Sequence, residues 1–182
     1  MYKNEYIIFI ILLLCNICIC GKSINIKSDD GNFENLVKTI NDYQSENELI
    51  LNFEDRLYDM TKILSNDISL TGNIIFNGKN KKDGVIFDYG NDTKGRFSFF
   101  LSRNKNLIIK FENIIFRNNY RPPFYENNQI IFVRAEKDHF SLQFVNCTFQ
   151  NNNNDLIRLE ITYKNQLNYE EPELYIENCN FQ

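Results

Sequence analysis

The chain has 182 residues, 20 Lys and Arg against 24 Asp and Glu, and a formal net charge of −4. That balance lacks the basic footprint a nucleic-acid binder needs, so nucleic acid is excluded as a partner. The length suits one domain with a real core, in a chain poor in Gly and Pro, with a single His and no Trp.

Met1 to Cys20 has Lys3 near its start and an apolar run, Ile7–Leu14, continuing to Cys20 past Asn16. This is a secretory signal-peptide pattern, with small Cys18 and Cys20 ahead of a cut before Gly21. The run is short of the ~20 apolar residues of a membrane span, and no stable span is expected after cleavage. Cleavage would remove one base and one acid, Lys3 and Glu5, and leave the charge unchanged. Residues 21–32 read as a flexible lead-in that includes Asp29-Asp30. The domain proper is expected over 33–182.

Phe33–Tyr43 places Phe33, Leu36, Val37 and Ile40 on one face at helical spacing, with Asn32 as N-cap. Strand signals follow at Leu49–Phe53, Lys62–Leu64 and Ile68–Leu70. Leu70–Gly78 (LTGNIIFNG) reads as an early copy, ending at Phe76, of a phrase repeated more clearly downstream. Residues 77–96 are glycine- and charge-rich around one strand-like island, Val85–Tyr89, and read as a protruding corner.

The phrase itself appears three times, as LIIKFENIIFRNN (107–119), SLQFVNCTFQNN (141–152) and ELYIENCNFQ (173–182). Superposed on Asn113, Asn146 and Asn178, the copies match apolar on apolar and end on Phe116, Phe149 and Phe181. The asparagines are spaced 33 and 32 residues apart, inside the range of stacked structural repeats. Each copy alternates apolar and polar residues up to the asparagine, a strand period. A second short strand follows it. Asn tolerates the left-handed conformation of a sharp corner, and its amide could bond to its neighbours in a stack. A third apolar run completes each lap (Phe97–Leu101, Ile130–Val133, Leu156–Ile161). Three short strands cannot bury their own apolar faces, so laps must stack.

Through I/L-x-I/F-x-N-x-x-F-x-N the chain resembles the right-handed parallel β-helix proteins of the pectin-lyase-like superfamily, over about residues 33 to 182. The F-x-x-N tail (Phe116 to Asn119, Phe149 to Asn152) is also similar to repeats of polymorphic outer-membrane proteins, without their Gly-Gly-Ala-Ile run. The resemblance implies an all-β solenoid whose first lap is covered by the amphipathic helix, which hides core and unpaired strand backbone. The chain stops at Gln182 within a phrase, and a segment of a longer protein is expected.

Once the signal segment is removed, Cys147 and Cys179 remain, at equivalent inward positions one lap apart. They form either a disulfide or a buried thiol stack. Side chains on adjacent parallel strands point the same way, which favours the stack. Glycosylation sequons occur at Asn91-Asp92-Thr93 and Asn146-Cys147-Thr148. Asn91 lies in a hydrophilic loop and is expected to be modified. Asn146, placed at an inner corner, is not.

The β-helix polysaccharide enzymes carry facing carboxylates or aspartate-held calcium with a basic residue, and none of those motifs maps onto this chain. His139 reads as a solvated loop residue, and Asp83, Asp88 and Asp92 as a solvated acidic loop rather than a calcium site. No cofactor or metal is expected. The loop Arg117–Gln129 offers Tyr120, Arg121, Phe124 and Tyr125, stiffened by Pro122-Pro123. These aromatics either stack on sugars or a protein partner or fold back over the solenoid. The expected function is therefore a secreted or cell-surface, non-catalytic β-helix, structural or adhesive, with polysaccharide or another surface protein as partner. The alternatives are the N-terminal part of a polysaccharide lyase or glycoside hydrolase with catalytic turns beyond residue 182, and a ligand-free spacer.

Overall fold

The computed structural model describes residues 21–44, 47–63, 67–78, 84–92, 94–101, 106–120, 129–135, 140–153, 155–161 and 174–182. Residues 1–20, where a signal peptide is expected, most of the aromatic loop, His139 and Asp83 lie outside the described residues.

The chain winds as a β-solenoid. It opens with β1 (Lys22–Ile26), α1 (Gly31–Glu34) and α2 (Leu36–Tyr43). The first full lap is β2 (Glu48–Phe53), β3 (Leu57–Asp59) and β4 (Asp67–Ser69). The second is β5 (Asn73–Asn77), β6 (Val85–Asp88) and β7 (Phe97–Leu101). The third is β8 (Leu107–Glu112), β9 (Ile114–Arg117) and β10 (Ile131–Ala135). The fourth is β11 (Phe140–Val145), β12 (Thr148–Gln150) and β13 (Ile157–Ile161), followed by β14 (Leu174–Glu177) and β15 (Asn180–Phe181). Equivalent strands stack in parallel into three sheets: β1-β2-β5-β8-β11-β14 (sheet 1), β3-β6-β9-β12-β15 (sheet 2) and β4-β7-β10-β13 (sheet 3).

Register carries the repeated phrase into space. Ile109 pairs with Leu142 and Leu142 with Leu174, while Phe111 pairs with Phe144 and Phe144 with Ile176. Sheet 2 aligns Phe116, Phe149 and Phe181. Their rings lie in two stacked columns. Phe76–Phe111–Phe144 has centroid spacings of 4.5 and 5.5 Å, and Phe116–Phe149–Phe181 has 5.0 and 5.0 Å. Burying a phenylalanine stabilises by about 1.5–3 kcal/mol, and a favourable ring pair adds about 0.5–1.5 kcal/mol. Phe76 therefore differs from the sequence expectation. It pairs with Phe111, not Phe116, because Phe87 of β6 already fills the sheet 2 position of that lap.

The corners explain the asparagines. Asn113, Asn146 and Asn178 have φ of 57°, 53° and 51°, and the N–H of Asn113 donates to Val145 O and that of Asn146 to Glu177 O, at 3.0 and 2.9 Å. The left-handed residue shifts the in–out alternation by one. Phe144 points inward, Asn146 is left on the convex side, and Cys147 takes the next inward place. A second asparagine corner, between sheets 2 and 3, recurs at Asn118 and Asn151 (φ 59° and 52°). The next residue turns inward there too. Asn119 is buried, and Asn152 uses its Nδ2 to donate to Phe116 O at 2.8 Å and its Oδ1 to accept from Asn119 N–H at 2.9 Å. The amide stack along the solenoid runs elsewhere than expected. Asn77 Nδ2 donates to Asn52 Oδ1 on the outer face of sheet 1, and Asn52 donates to Ser23 Oγ and Asn25 Oδ1.

In the second lap Gly78 stands where later laps have the corner asparagine, and a Cβ there would lie 2.2 Å from Asn113 O. Val85 N–H donates to that same oxygen at 2.9 Å. The glycine- and charge-rich segment therefore leaves and re-enters at one corner.

Three expectations in the first part of the chain give way. Residues 21–32 are not all lead-in, because β1 pairs along its length with β2; only two of its five residues are apolar, too few to signal a strand without its partner. The helix is broken at Asn35, and its N-cap is Asp30 rather than Asn32, with Oδ1 accepting from Asn32 and Phe33 N–H at 2.9 and 3.0 Å. Residues 62–64 hold no described strand; Met60–Lys62 is a 3-10 turn. The helices take the place of sheets 2 and 3 in the opening lap. Phe33 packs edge-on against Tyr58 of β3 at 5.0 Å, and Gln44 closes on the β4 edge through Ser69 O and Thr71 N–H.

Two buried tyrosines test this core. Tyr58 OH donates to Ile26 O and accepts from Asp55 N–H, whereas Tyr89 OH is buried without a partner among the described residues. Burial pushes both phenols up, that of Tyr58 to about 12. Tyr58→Phe is expected to cost about 1–2 kcal/mol in urea unfolding, and Tyr89→Phe to be neutral or stabilising. Equal losses from the two would contradict this hydrogen-bond assignment.

Candidate ligand-binding groove

Sheet 3 carries two phenylalanine rings on its outer face. Alternation assigns Phe97, Phe99 and Leu101 of β7 to the core, which leaves Ser98 and Phe100 outside; on β10 it leaves Phe132 and Arg134 outside. Phe100 pairs with Arg134 and Arg134 with Glu160 across neighbouring strands. The rings of Phe100 and Phe132 meet edge-on at 6.2 Å. The Arg134 guanidinium lies 5.4 Å from the centroid of Phe132 and 5.9 Å from that of Phe100, a cation–π arrangement.

Arg134 also donates to Glu160 Oε2 from Nε and Nη2, at 3.1 and 2.8 Å, and Arg158 Nη2 lies 2.7 Å from Glu160 Oε1. Hydrogen bonding from Arg134 holds the Glu160 carboxyl below its ordinary range. Asp67, Arg96, Ser98 and Gln129 complete a groove of about 230 Å³ along this face. Ser98 and Gln129 are buried, so its floor is polar while its wall is aromatic.

The carboxylates of the groove are poorly placed for hydrolysis. Asp67 on β4 and Glu160 on β13 lie at opposite edges of sheet 3, about 14 Å apart by backbone at ~4.8 Å per strand. Facing carboxylates of glycoside hydrolysis stand about 5–9.5 Å apart. Glu160, held ionised by arginines, is also a poor proton donor. Among the described residues no three His, Cys, Asp or Glu side chains converge as a metal site.

None of these groove residues was singled out in the sequence reading. A signal for them existed: FFL (99–101) and IFV (131–133) are continuous apolar runs, where a one-sided strand should put a polar residue at Phe100 and Phe132. Of the loop residues, Tyr120 is half exposed; Arg121, Phe124 and Tyr125 lie outside the described residues. The loop nonetheless returns at Gln129, on the groove floor.

No protein family, no curated protein and no solved structure matches this chain. The groove must be read from its own chemistry.

The remaining sequence candidates lie away from it. Asp88 binds Arg117 at 2.7 Å, Asn118 Nδ2 at 3.0 Å and Gly90 N–H at 3.0 Å, and those bonds lower its carboxyl pKa against the opposing effect of burial. Asp92 faces Lys94 at 3.9 Å. Asn91 is exposed, with φ 59° and its N–H donating to Asn118 O. Asn146 is exposed as well, which corrects its assignment to an inner corner.

Cys147 and Cys179 are free thiols. Cys147 Sγ donates to Phe111 O at 3.4 Å and Cys179 Sγ to Phe144 O at 3.5 Å, so each thiol points one lap back along the stack. Burial pushes the Cys147 thiol from an ordinary 9.0 up to about 12. The folded state thus holds this proton through a range where the unfolded chain loses it, and stability falls as pH rises from 9 to 12. Replacing Cys147 with Val, which resembles Ile114 at the equivalent place in the lap before, is expected to flatten that decline in urea titrations. An unchanged slope would show that Cys147 does not titrate as described.

Proposed function

We propose that this chain is a secreted or cell-surface, non-catalytic β-solenoid of the right-handed, pectin-lyase-like kind, serving adhesion by binding polysaccharide along the outer face of sheet 3. The observation that carries the reading is the groove. Two aromatic rings, a guanidinium laid across them and buried polar groups beneath are the chemistry that recognises a sugar ring, apolar on its faces and hydroxylated at its edge. Such grooves follow a sheet whose strands repeat every ~4.8 Å, which suits an extended polymer rather than a compact ligand.

The secretory part of the reading rests on the signal-peptide pattern of residues 1–20. Among the described residues no helix is long and apolar enough to cross a membrane.

A panel of neutral and uronic-acid polysaccharides, read by affinity electrophoresis, tests the binding. At least one polymer is expected to retard the protein, and Phe100→Ala with Phe132→Ala to weaken that retardation tenfold or more, with the melting transition retained. Binding unchanged by the double variant, or no retardation by any polymer, would remove the groove from the proposal. Release of new reducing ends from a polymer would favour an enzyme instead.

A further inference from the structure

The sequon Asn146-Cys147-Thr148 falls on the first corner of the fourth lap, where β11 of sheet 1 passes into β12 of sheet 2. Three features make that corner receptive. The Asn146 side chain is exposed. Its left-handed backbone is held through the main chain, by the N–H bond to Glu177 O. Among the described residues its own amide takes no part in a hydrogen bond, unlike the amides of Asn52, Asn77, Asn118 and Asn152, which join neighbouring laps. Of the three asparagines in this column only Asn146 is followed two residues later by a hydroxyl side chain; Asn113 is followed by Ile115 and Asn178 by Asn180.

We propose that Asn146 is an N-glycosylation acceptor, and that its glycan stands on the edge of the solenoid that carries none of the groove residues. Sheets 1 and 2 meet at that edge, whereas the groove belongs to sheet 3. Asn91 lies differently, in the segment between sheets 2 and 3, five residues before Arg96 of the groove. A bulky, solvated glycan at Asn146 leaves the polymer face open. In the transfer, Asn146 Nδ2 attacks the anomeric carbon of an oligosaccharide carried on a polyprenyl diphosphate. The C–N bond forms, the C–O bond to the diphosphate breaks, the polyprenyl diphosphate leaves with the bonding electrons, and Nδ2 gives up one proton.

This inference rests on the secretory reading, and the test separates the two. The full chain is expressed in a glycosylating eukaryotic host as wild type, Asn146→Gly, Thr148→Val and Asn91→Gln. Glycine keeps the left-handed corner without strain, and Thr148→Val keeps Asn146 while removing the sequon hydroxyl. Glycopeptide mass spectrometry is expected to find Asn146 occupied in the wild type and in Asn91→Gln. Both Asn146→Gly and Thr148→Val should lose one glycan's worth of apparent mass and migrate faster, while melting as the wild type does. A glycan on Asn91 with Asn146 bare overturns this inference alone. Both sites bare, in a chain retained in the cytosol with residues 1–20 attached, overturns it together with the secretory reading.

Discussion

A lap of three strands, the longest six residues, has no inside of its own, so every apolar side chain must find its partner one lap up or down. That register is the constraint on which the rest of the structure depends. It works because the corners are reproducible. A left-handed asparagine at Asn113, Asn146 and Asn178 switches which parity of residue faces inward, at the same point in successive laps. Phe111 then meets Phe144, Phe116 meets Phe149 and Phe149 meets Phe181, with rings nearly parallel at 5.0–5.5 Å. A corner displaced by one residue would turn the following strand inside out, exposing its phenylalanines.

The same constraint decides where the chain has freedom. Inward positions are held by neighbours on both sides, and corners tolerate insertion because the chain can leave and return at one level. Gly78 and Val85, both against Asn113, bracket such an excursion. The N-terminal end needs a different answer, since an uncovered first lap would leave phenylalanines in water. Helices α1 and α2 supply it, Phe33 covering Tyr58 and Gln44 occupying the backbone groups at the β4 edge. Outward positions are answerable to nothing in the core. Phe100 and Phe132 on sheet 3 are therefore not required by the core packing.

Much of this was legible in the sequence. Three copies of one phrase at near-constant spacing led to parallel stacking, and the pairs found between Ile109, Leu142 and Leu174 are those the superposition had matched. The degenerate copy was harder. NIIFN beside NIIFRN suggested that Phe76 matches Phe116, but the spatial match is Phe111, because only the position of β6 shows which sheet Phe76 serves. Strand β1 was missed because two isoleucines in five residues are no signal until β2 lies alongside. The groove was missed because its residues come from four strands of different laps, and nothing local relates Asp67 to Glu160.

By itself, the sequence determined the class of fold, the period of the lap and the identity of the inward columns, since these follow from alternation and repetition along one dimension. Only the tertiary structure decided that Asn146 faces water. The left-handed turn breaks the alternation from which its orientation had been read, and a parity argument cannot cross the residue that resets the parity. Likewise only stacking brought Phe100, Phe132, Arg134 and Glu160 onto one face, because proximity across laps is set by register between strands some 30 residues apart.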